Sequence, residues 1–357
     1  MSKLNKVLVA ALLAQVAIFV VIKLWPAPLP LAKPKAVLSF DQKKVTKIQI
    51  VDGSKAEGKK ETLTLTKAEG KWVVQGSEFP VEGKKASELL GKLVGVKAGA
   101  SVTDRPMHQR KLEVAKDHYQ RRVTLTRMGE KDLVFFLGSS PGLKKVHLRI
   151  EGQKAVYAAA PLVTWDIGAA ASSWVKTAYF KPDRDRIVGF TLKNNNGTIH
   201  VIKREGQWKL AEGDVALKQA EVNALISTMT YVSLLDPVGK KVEPSYGLTS
   251  PQAMLTVELQ KKTKASSAKS PTTQASASQP TTAPTTAPAT EMLRLRLGAK
   301  KGTAYYAKRD ASPFVVTIDS STANALVNKK LSDLVEKKKE EKKTEGEAAG
   351  VGVKKMK

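Results

Sequence analysis

Residues 187–210 read IVGFTLKNNNGTIHVIKREGQWKL, and the fold prediction starts from this stretch. Apolar and polar side chains alternate through Ile187–Leu192 and again through Thr198–Lys203, which is typical of half-buried β-strands. The breaks between these segments contain glycine and predict hairpin turns. A third short strand follows at residues 206–210 and carries Trp208. We therefore expect consecutive antiparallel strands in this part of the chain.

The same pattern occurs earlier in the chain, in strand-like segments at residues 45–50, 61–67 and 70–74. Trp72 and Trp208 are 136 residues apart, and the glycine two positions before each tryptophan keeps the same offset. In each copy an apolar stripe at helical spacing follows these strands, and further strand-like segments follow the stripe. The stripes are Ala86, Leu89, Leu90, Leu93 and Val96 in the first copy, and Val222, Leu225, Ile226, Met229 and Val232 in the second.

This order of elements predicts the α+β fold class. Runs of strands interrupted by single helices are expected to form antiparallel sheets with the helices packed against them. Because the two copies share their pattern, we predict two tandem repeats, at residues 36–180 and 181–335. A short helical segment is expected to close each repeat, at residues 162–169 and 322–334.

Two segments have amino-acid compositions that do not support a folded core. Residues 261–290, inside the second repeat, consist mainly of Ser, Thr, Pro and Ala, and residues 336–357 contain blocks of Lys and Glu. Segments with few apolar side chains and many prolines cannot build a core. We predict a mobile insert between two strands and a charged, disordered tail. An O-glycosylated, mucin-like insert is the alternative for the first segment.

Residues 1–35 carry the signal of an N-terminal membrane anchor. Val7–Ile22 is apolar except for Gln15, and apolar residues at both ends extend the run to residues 4–25. A helix rises 1.5 Å per residue, so this length predicts one transmembrane helix. The alternative is a cleaved signal peptide, which requires small residues at a cleavage site. The run is instead followed by tryptophan and a proline-rich segment.

The anchor predicts a single-pass protein of a bacterial inner membrane, with the soluble repeats in the periplasm. A short tail ahead of a large domain favours this orientation. Lysines lie on both sides of the apolar run, so the positive-inside pattern does not discriminate. The absence of cysteine is compatible with an envelope compartment and excludes disulfide scaffolds and thiol nucleophiles.

A six-residue motif in the second repeat links the chain to a known family. Tyr246-Gly247-Leu248-Thr249-Ser250-Pro251 forms a YGL-x-x-P turn before a predicted strand. Together with the G-x-W strands and the N-terminal apolar run, this motif resembles the bacterial family of domain of unknown function 4340, over about residues 40–335. In the first repeat the motif has decayed to RKLEVA at residues 110–115, so we expect that repeat to have lost its role. The resemblance implies an anchored envelope protein, encoded in some genomes beside gliding-motility-type ABC transporter components, and brings no known activity.

The sequence contains no recognised catalytic or cofactor-binding pattern. The four histidines, His108, His118, His147 and His200, form neither an H-x-x-x-H nor an H-E-x-x-H pair, so a metal site is not predicted. Neither a G-x-S-x-G elbow nor a glycine-rich phosphate loop occurs. We therefore predict a protein that is not an enzyme and that requires no cofactor.

Two sets of residues are candidates for structural or binding roles. Asp183, Arg184, Asp185 and Arg186 lie at the junction of the repeats, and we interpret them as a hinge fixed by local salt bridges. A cation site made by the two aspartates is the alternative. Trp72 and Trp208 are expected in the core where the sheet meets the helix, and stacking on glycan rings is their alternative role.

The charge balance completes the functional prediction. Sixty Lys and Arg against 33 Asp and Glu give a formal net charge of +27, which favours anionic partners. The first hypothesis is a non-enzymatic envelope protein whose repeats bind a protein partner, such as an ABC transporter or an envelope-assembly complex. The alternative is a basic surface that binds anionic lipid or polysaccharide. Nucleic acid is not an expected partner, because no recognition motif for it appears.

Overall fold

The structure is a computed structural model that describes residues 3–24, 33–55, 60–261 and 290–336. The predicted tail from residue 337 onward and the predicted insert from 262 to 289 lie outside these residues. Within the described residues the chain is α+β, as predicted, with large antiparallel sheets and few helices. The α-helices are α1 (Lys3–Leu24), α2 (Lys85–Val94), α3 (Pro106–Gln109), α4 (Gln219–Met229), α5 (Ser320–Val327) and α6 (Leu331–Leu334).

The strands fall into two series that follow the two halves of the chain. The first series is β1 (Lys35–Ala36), β2 (Val45–Asp52), β3 (Thr62–Ala68), β4 (Lys71–Val74), β5 (Phe79–Pro80), β6 (Lys97–Ala98), β7 (Arg121–Arg127), β8 (Leu133–Leu137), β9 (Val146–Ile150) and β10 (Tyr157–Ala159). The second series is β11 (Ala178–Phe180), β12 (Ile187–Asn194), β13 (Gly197–Arg204), β14 (Gln207–Leu210), β15 (Val232–Gly239), β16 (Ala253–Gln260), β17 (Thr290–Lys301), β18 (Ala304–Arg309) and β19 (Val315–Asp319).

Two large sheets result, and their strand orders correspond. The first runs β10-β9-β8-β7-β2-β3-β4-β5, and the second runs β11-β15-β19-β18-β17-β16-β12-β13-β14. Seven consecutive strands, β10 to β4, therefore follow the same order as β19 to β14. The edges next to β10 and β19 correspond as well. In the first half β1 pairs with β6, and Lys97 of β6 bridges Ala160 beside β10. In the second half β11 pairs with β15, and β15 pairs with β19. The repeated sequence pattern folds into a repeated topology.

Alternation in the sequence becomes alternation in burial. In β12, Phe190 and Leu192 are fully buried, whereas Thr191 between them is only half-buried. The apolar stripe of α4 supplies core side chains in the same way, with Val222 and Met229 fully buried. Each sheet therefore buries one row of side chains against its helices, as expected for an α+β protein.

The helices end earlier than the apolar stripes predicted. α2 ends at Val94 and α4 at Met229, so Val96 and Val232 lie beyond the helices. Both valines are fully buried, and Val232 is the first residue of β15. A buried segment beyond the helix and a helical stripe both require apolar residues at these positions, which explains why the stripes were predicted to extend past the ends of the helices.

The segments predicted to close the repeats differ from simple helices. Within residues 162–169 the structure has one 3-10 turn, Thr164–Asp166. Residues 322–334 are divided between α5 and α6, because α5 ends in a cap at Asn328.

The predicted transmembrane helix is not confirmed. α1 spans Lys3–Leu24, and its side chains are described without interruption over residues 9–21. Among the helices of the described ranges, none combines the length and the apolar character that a bilayer crossing requires.

The described residues divide into two compact units. Unit 1 lies within Met1–Thr46, Ile50–Lys60 and Ser87–Ile167, and unit 2 lies within Lys47–Gln49, Glu61–Ala86 and Gly168–Lys357. The candidate sites below each lie inside one unit.

Candidate functional site

The structure places Trp208 in the core of unit 2. Its side chain is 7% exposed, and its indole nitrogen donates to Asn223 Oδ1 at 3.3 Å. Its ring centre lies 6.4 Å from that of Phe190. Trp72 is half-buried, and the Lys67 ammonium lies 5.3 Å from its ring centre. Trp208 therefore has little ring surface left for a glycan, and Trp72 has only part of its ring.

The YGL-x-x-P motif fixes a close crossing of two backbone segments. A single 3-10 turn, Pro244–Tyr246, ends at Gly247, whose φ of 63° is left-handed and suits glycine. Gly298 of β17 passes so close that a Cβ added to it would lie 2.0 Å from the Tyr246 carbonyl oxygen. Leu248 is buried just beyond the turn. The motif thus forms the turn, and Gly298 allows β17 to approach it.

Tyr246 also contributes its ring to this region. It stacks on Tyr306, with ring centres 4.2 Å apart and an angle of 25° between the planes. Burial raises the pKa of the Tyr246 hydroxyl, and the nearby Glu243 carboxylate raises it further. The phenol is therefore neutral at physiological pH and acts as a packing group here.

The first repeat keeps this crossing although its sequence differs. Glu113 has a φ of 58° where the second repeat has Gly247. A Cβ on Gly138 would lie 2.0 Å from the Leu112 carbonyl oxygen, which is the same approach as at Gly298. Residues 110–115 therefore make the same turn, contrary to the expectation that they had lost the motif's role.

The junction residues attach to their own sheet. Arg184–Arg186 form one 3-10 turn that leads into β12. Arg186 donates through Nε to the Gln260 carbonyl oxygen at 2.8 Å, and its Nη2 lies 3.0 Å from Glu291 Oε2. The backbone of Asp183 accepts a hydrogen bond from the Arg186 amide at 3.1 Å. The ion pair that holds this segment thus joins Arg186 to β17 and not to its neighbouring aspartates.

The histidines lie in separate surroundings. His147 is 6% exposed with Nδ1 3.0 Å from Ser139 Oγ, and burial lowers its pKa. The same Ser139 hydroxyl lies 3.3 Å from a backbone carbonyl oxygen, so the pair satisfies buried polar groups. Across the described ranges no group of three or more His, Asp or Glu residues is arranged to hold a metal ion.

The strongest candidate site is a cavity in unit 1 that we call the basic cavity. Its volume is about 710 Å³, within the range typical of ligand and peptide pockets. Its lining includes Arg121, Leu143, Lys144, Lys145 and Trp165. None of its described lining residues is acidic.

A buried ion pair forms the inner wall of the basic cavity. Arg121 and Asp52 are 9% and 7% exposed, and Arg121 Nη1 lies 2.5 Å from Asp52 Oδ1. Arg121 also donates through Nε to the Ile167 carbonyl oxygen at 3.2 Å. Asp52 Oδ1 accepts further bonds from the Ser54 amide and hydroxyl. The charge of Arg121 is therefore largely neutralised, which leaves the two lysines as the positive charge of the cavity.

A tight turn presents those lysines. The Lys145 amide donates to the Gly142 carbonyl oxygen at 3.2 Å, and Lys144 takes a φ of 53°. The Ser140 hydroxyl lies 2.8 Å from the carbonyl oxygens of both Gly142 and Lys145 and ties the turn at its base. Leu143 and Lys144 consequently stand at the tip of the turn.

The rim of the basic cavity is apolar and exposed. Leu143 is 90% exposed and Trp165 is 88% exposed. Trp165 sits in the 3-10 turn Thr164–Asp166, where the Val163 amide donates to Asp166 Oδ2 at 2.9 Å and Asp166 pairs with Lys92. The backbone around the indole is thus fixed while the indole itself faces solvent.

No local pattern in the sequence predicts the basic cavity. Its residues come from four separate segments, and Arg121 and Asp52 are far apart in the sequence. A signal does exist in the sequence: Leu143 and Trp165 are large apolar residues, and each is flanked directly by polar or turn-forming residues.

Comparison with known proteins gives one family. A family model described as a domain of unknown function (DUF4340) matches residues 72–251. No curated protein and no solved structure matches the chain. The matched range includes both repeat tryptophans, the YGL-x-x-P turn and most of the basic cavity.

Proposed function

The chain belongs to the DUF4340 family, and on this premise we propose that it is a non-enzymatic envelope protein that captures a protein partner through the basic cavity of unit 1. The partner is a protein with an exposed acidic segment, such as a subunit of an ABC transporter or of an envelope-assembly complex. The observation that carries this proposal is the pair of rim side chains, Leu143 and Trp165, beside two lysines that have no ion-pair partner among the residues that the structure describes.

We further propose that residues 4–25 hold the protein in the inner membrane, with the repeats in the periplasm. The described apolar side chains of α1 support this, because they are exposed rather than covered by the fold. Leu13 is 63% exposed and Phe19 is 60% exposed. An uncovered apolar helix of this composition calls for a lipid or protein environment.

Burial of the rim on a partner supplies the affinity in this proposal. Tryptophan is among the residues that dominate protein interfaces, because a large ring is desolvated at a small entropic cost. Lys144 and Lys145 add charge complementarity, which speeds encounter and excludes basic partners. Leu143, Trp165 and the two lysines thus form an apolar contact with a charged border, the arrangement typical of a docking surface.

The test is site-specific photocrosslinking of the full-length chain in its native membranes. A photoreactive phenylalanine analogue at position 165 should yield a defined protein adduct. The matched control places the same analogue at Met128, which is 66% exposed and lies in the same unit outside the cavity. Adduct at 165 that falls at least tenfold in a Lys144→Glu, Lys145→Glu chain supports the proposal.

Two outcomes contradict the docking proposal. The first is equal adduct formation from positions 165 and 128, because it reports collision and not docking. The second is recovery of lipid or polysaccharide without protein at position 165, which favours the alternative of a basic surface for anionic polymers.

A further inference from the structure

A second cavity, which we call the polar cavity, lies in unit 2 against the YGL-x-x-P turn. Its volume is about 540 Å³. Thr249, Ser250 and Pro251 of the motif line one side, and Lys193 and Arg296 line the other. No carboxylate is present among its described lining residues. The cavity is separate from the basic cavity and plays no part in the function proposed above.

Strand register places three cations in one row across the sheet, and two of them, Lys193 and Arg296, line the polar cavity. Lys193 of β12 lies opposite Met254 of β16, and Met254 lies opposite Arg296 of β17. Arg296 in turn lies opposite Lys308 of β18. Adjacent strands are about 4.8 Å apart, so three long cationic side chains share one row within about 15 Å.

In the first repeat the position that corresponds to the polar cavity is filled by apolar side chains. Phe136 lies opposite Arg122 and Arg149, as Arg296 lies opposite Met254 and Lys308. Phe136 is 1% exposed and packs with Val114 and Tyr119 in an apolar cluster.

Further positions of that cluster correspond to lining residues of the polar cavity. Val51 precedes the last residue of β2, as Lys193 precedes the last residue of β12, and it packs on the same cluster. Tyr119 lies two residues before β7, as Pro251 lies two residues before β16.

The side chains that fill this position in the first repeat are therefore replaced in the second repeat by side chains that line a cavity. Where the first repeat has Phe136, Val51 and Tyr119, the second has Arg296, Lys193 and Pro251. The change from Tyr119 to Pro251 removes side-chain volume, and the gain of two cations makes the opened space electropositive. Structural need alone does not explain the change, because the same backbone crossing exists in both repeats.

The charges in this row are only partly compensated. Arg296 Nη2 lies 3.0 Å from Asp310 Oδ1, and the Lys308 ammonium donates to the Ser312 carbonyl oxygen at 2.7 Å. Lys193 is exposed and forms no ion pair with any of the described residues. Of the two cations that line the cavity, only Arg296 has a carboxylate partner, which leaves a net positive charge at the cavity.

We propose that the polar cavity binds a phosphate ester. Arginine and lysine from separate strands are suited to oxygens of one phosphate, since arginine offers a planar fork and lysine a point charge. Asn195, Thr249 and Ser250 provide amide and hydroxyl groups for the polar remainder of the ligand. A lipid headgroup and a free sugar or glycerol phosphate share this chemistry.

Calorimetric titration of the full-length chain with glycerol 3-phosphate tests the free ligand, and flotation with phosphatidylglycerol vesicles tests the headgroup. Lys193→Val and Arg296→Gln should each weaken binding at least tenfold in whichever arm binds. Lys300→Val is the matched control, because Lys300 is an exposed cation on the same strand as Arg296 and does not line the cavity. It should change affinity less than threefold.

Binding in the first arm alone identifies a soluble phosphate ester, and binding in the vesicle arm alone identifies a headgroup. The proposal is overturned if neither probe binds, or if Lys300→Val weakens binding as much as Lys193→Val. Variants at Leu143 and Trp165 should leave this binding unchanged, so failure here is distinguishable from failure of the docking proposal.

Discussion

Replacing Gly298 by alanine tests the backbone crossing at the YGL-x-x-P turn. The new Cβ would lie 2.0 Å from the Tyr246 carbonyl oxygen, whereas real Cβ atoms essentially never come within 3.0 Å of such an atom. The two segments must therefore separate by about 1 Å. Overpacking of this kind costs about 1–3 kcal/mol, and a backbone carbonyl cannot turn aside as a side chain can. We expect a loss near the upper end, about 3 kcal/mol.

Urea unfolding followed by tryptophan fluorescence measures this loss, since Trp208 lies in the core of the same unit. With a slope of about 1–3 kcal/mol per molar urea, the midpoint should fall by about 1 M or more. Gly142→Ala is the control, because no atom lies within 4 Å of a Cβ at Gly142, and its effect should stay within about 0.5 kcal/mol. A Gly298→Ala midpoint within about 0.2 M of the parent would refute the reasoning, since the slope then leaves less than about 0.6 kcal/mol for the clash.

Three further predictions follow from buried groups. Asp52→Asn should destabilise unit 1 by about 3 kcal/mol in urea titration, because it leaves the buried Arg121 cation without its counter-charge; a loss below about 1 kcal/mol contradicts the ion pair's burial. Because burial lowers the pKa of His147 below its ordinary 6.5, the unfolded chain binds more protons as the pH falls. The urea midpoint of unfolding should therefore fall as the pH is lowered from about 7 to about 5. If the midpoint of a His147→Asn variant falls by the same amount, His147 is not the cause of the pH dependence. Trp208→Ala should lower the free energy of unfolding by about 3–5 kcal/mol in thermal unfolding, and Trp72→Ala should lower it distinctly less, because Trp72 is more exposed. Equal losses would mean that the difference in burial does not determine the stability that each ring contributes.

Local periodicity predicted much of the fold and none of the cavities. Alternation at Phe190 and Leu192 identified β12, because one face of the strand is buried and the other is not. The same reasoning failed at Val232, where a strand follows a helix with no polar interruption and both elements demand an apolar residue. The basic cavity depends on Arg121 meeting Asp52, a pairing between distant segments that no local pattern encodes.

The turn of the first repeat shows a second limit of sequence reasoning. Comparison of RKLEVA with YGL-x-x-P at the level of letters suggested a lost function, because glycine is the residue that a left-handed φ favours. Glu113 nevertheless adopts a φ of 58° at that position, and its carboxylate accepts a bond from Gln120 Nε2 at 2.6 Å. Neighbouring contacts outweighed the local preference of glutamate, and those contacts are visible only in three dimensions.

The outermost strands of both large sheets bear on how the protein behaves at high concentration. The first sheet ends in β10 and β5, of three and two residues, and the second ends in β11 and β14, of three and four. Exposed strand edges recruit other chains by continuing the ladder of amide bonds, and long flat edges do so most readily. β5 also contains Pro80, which has no amide hydrogen to offer. The longest strands, β2, β12, β13, β15, β16 and β17, are all paired on both sides. These short and interrupted edges therefore disfavour strand-to-strand polymerisation when the protein is concentrated.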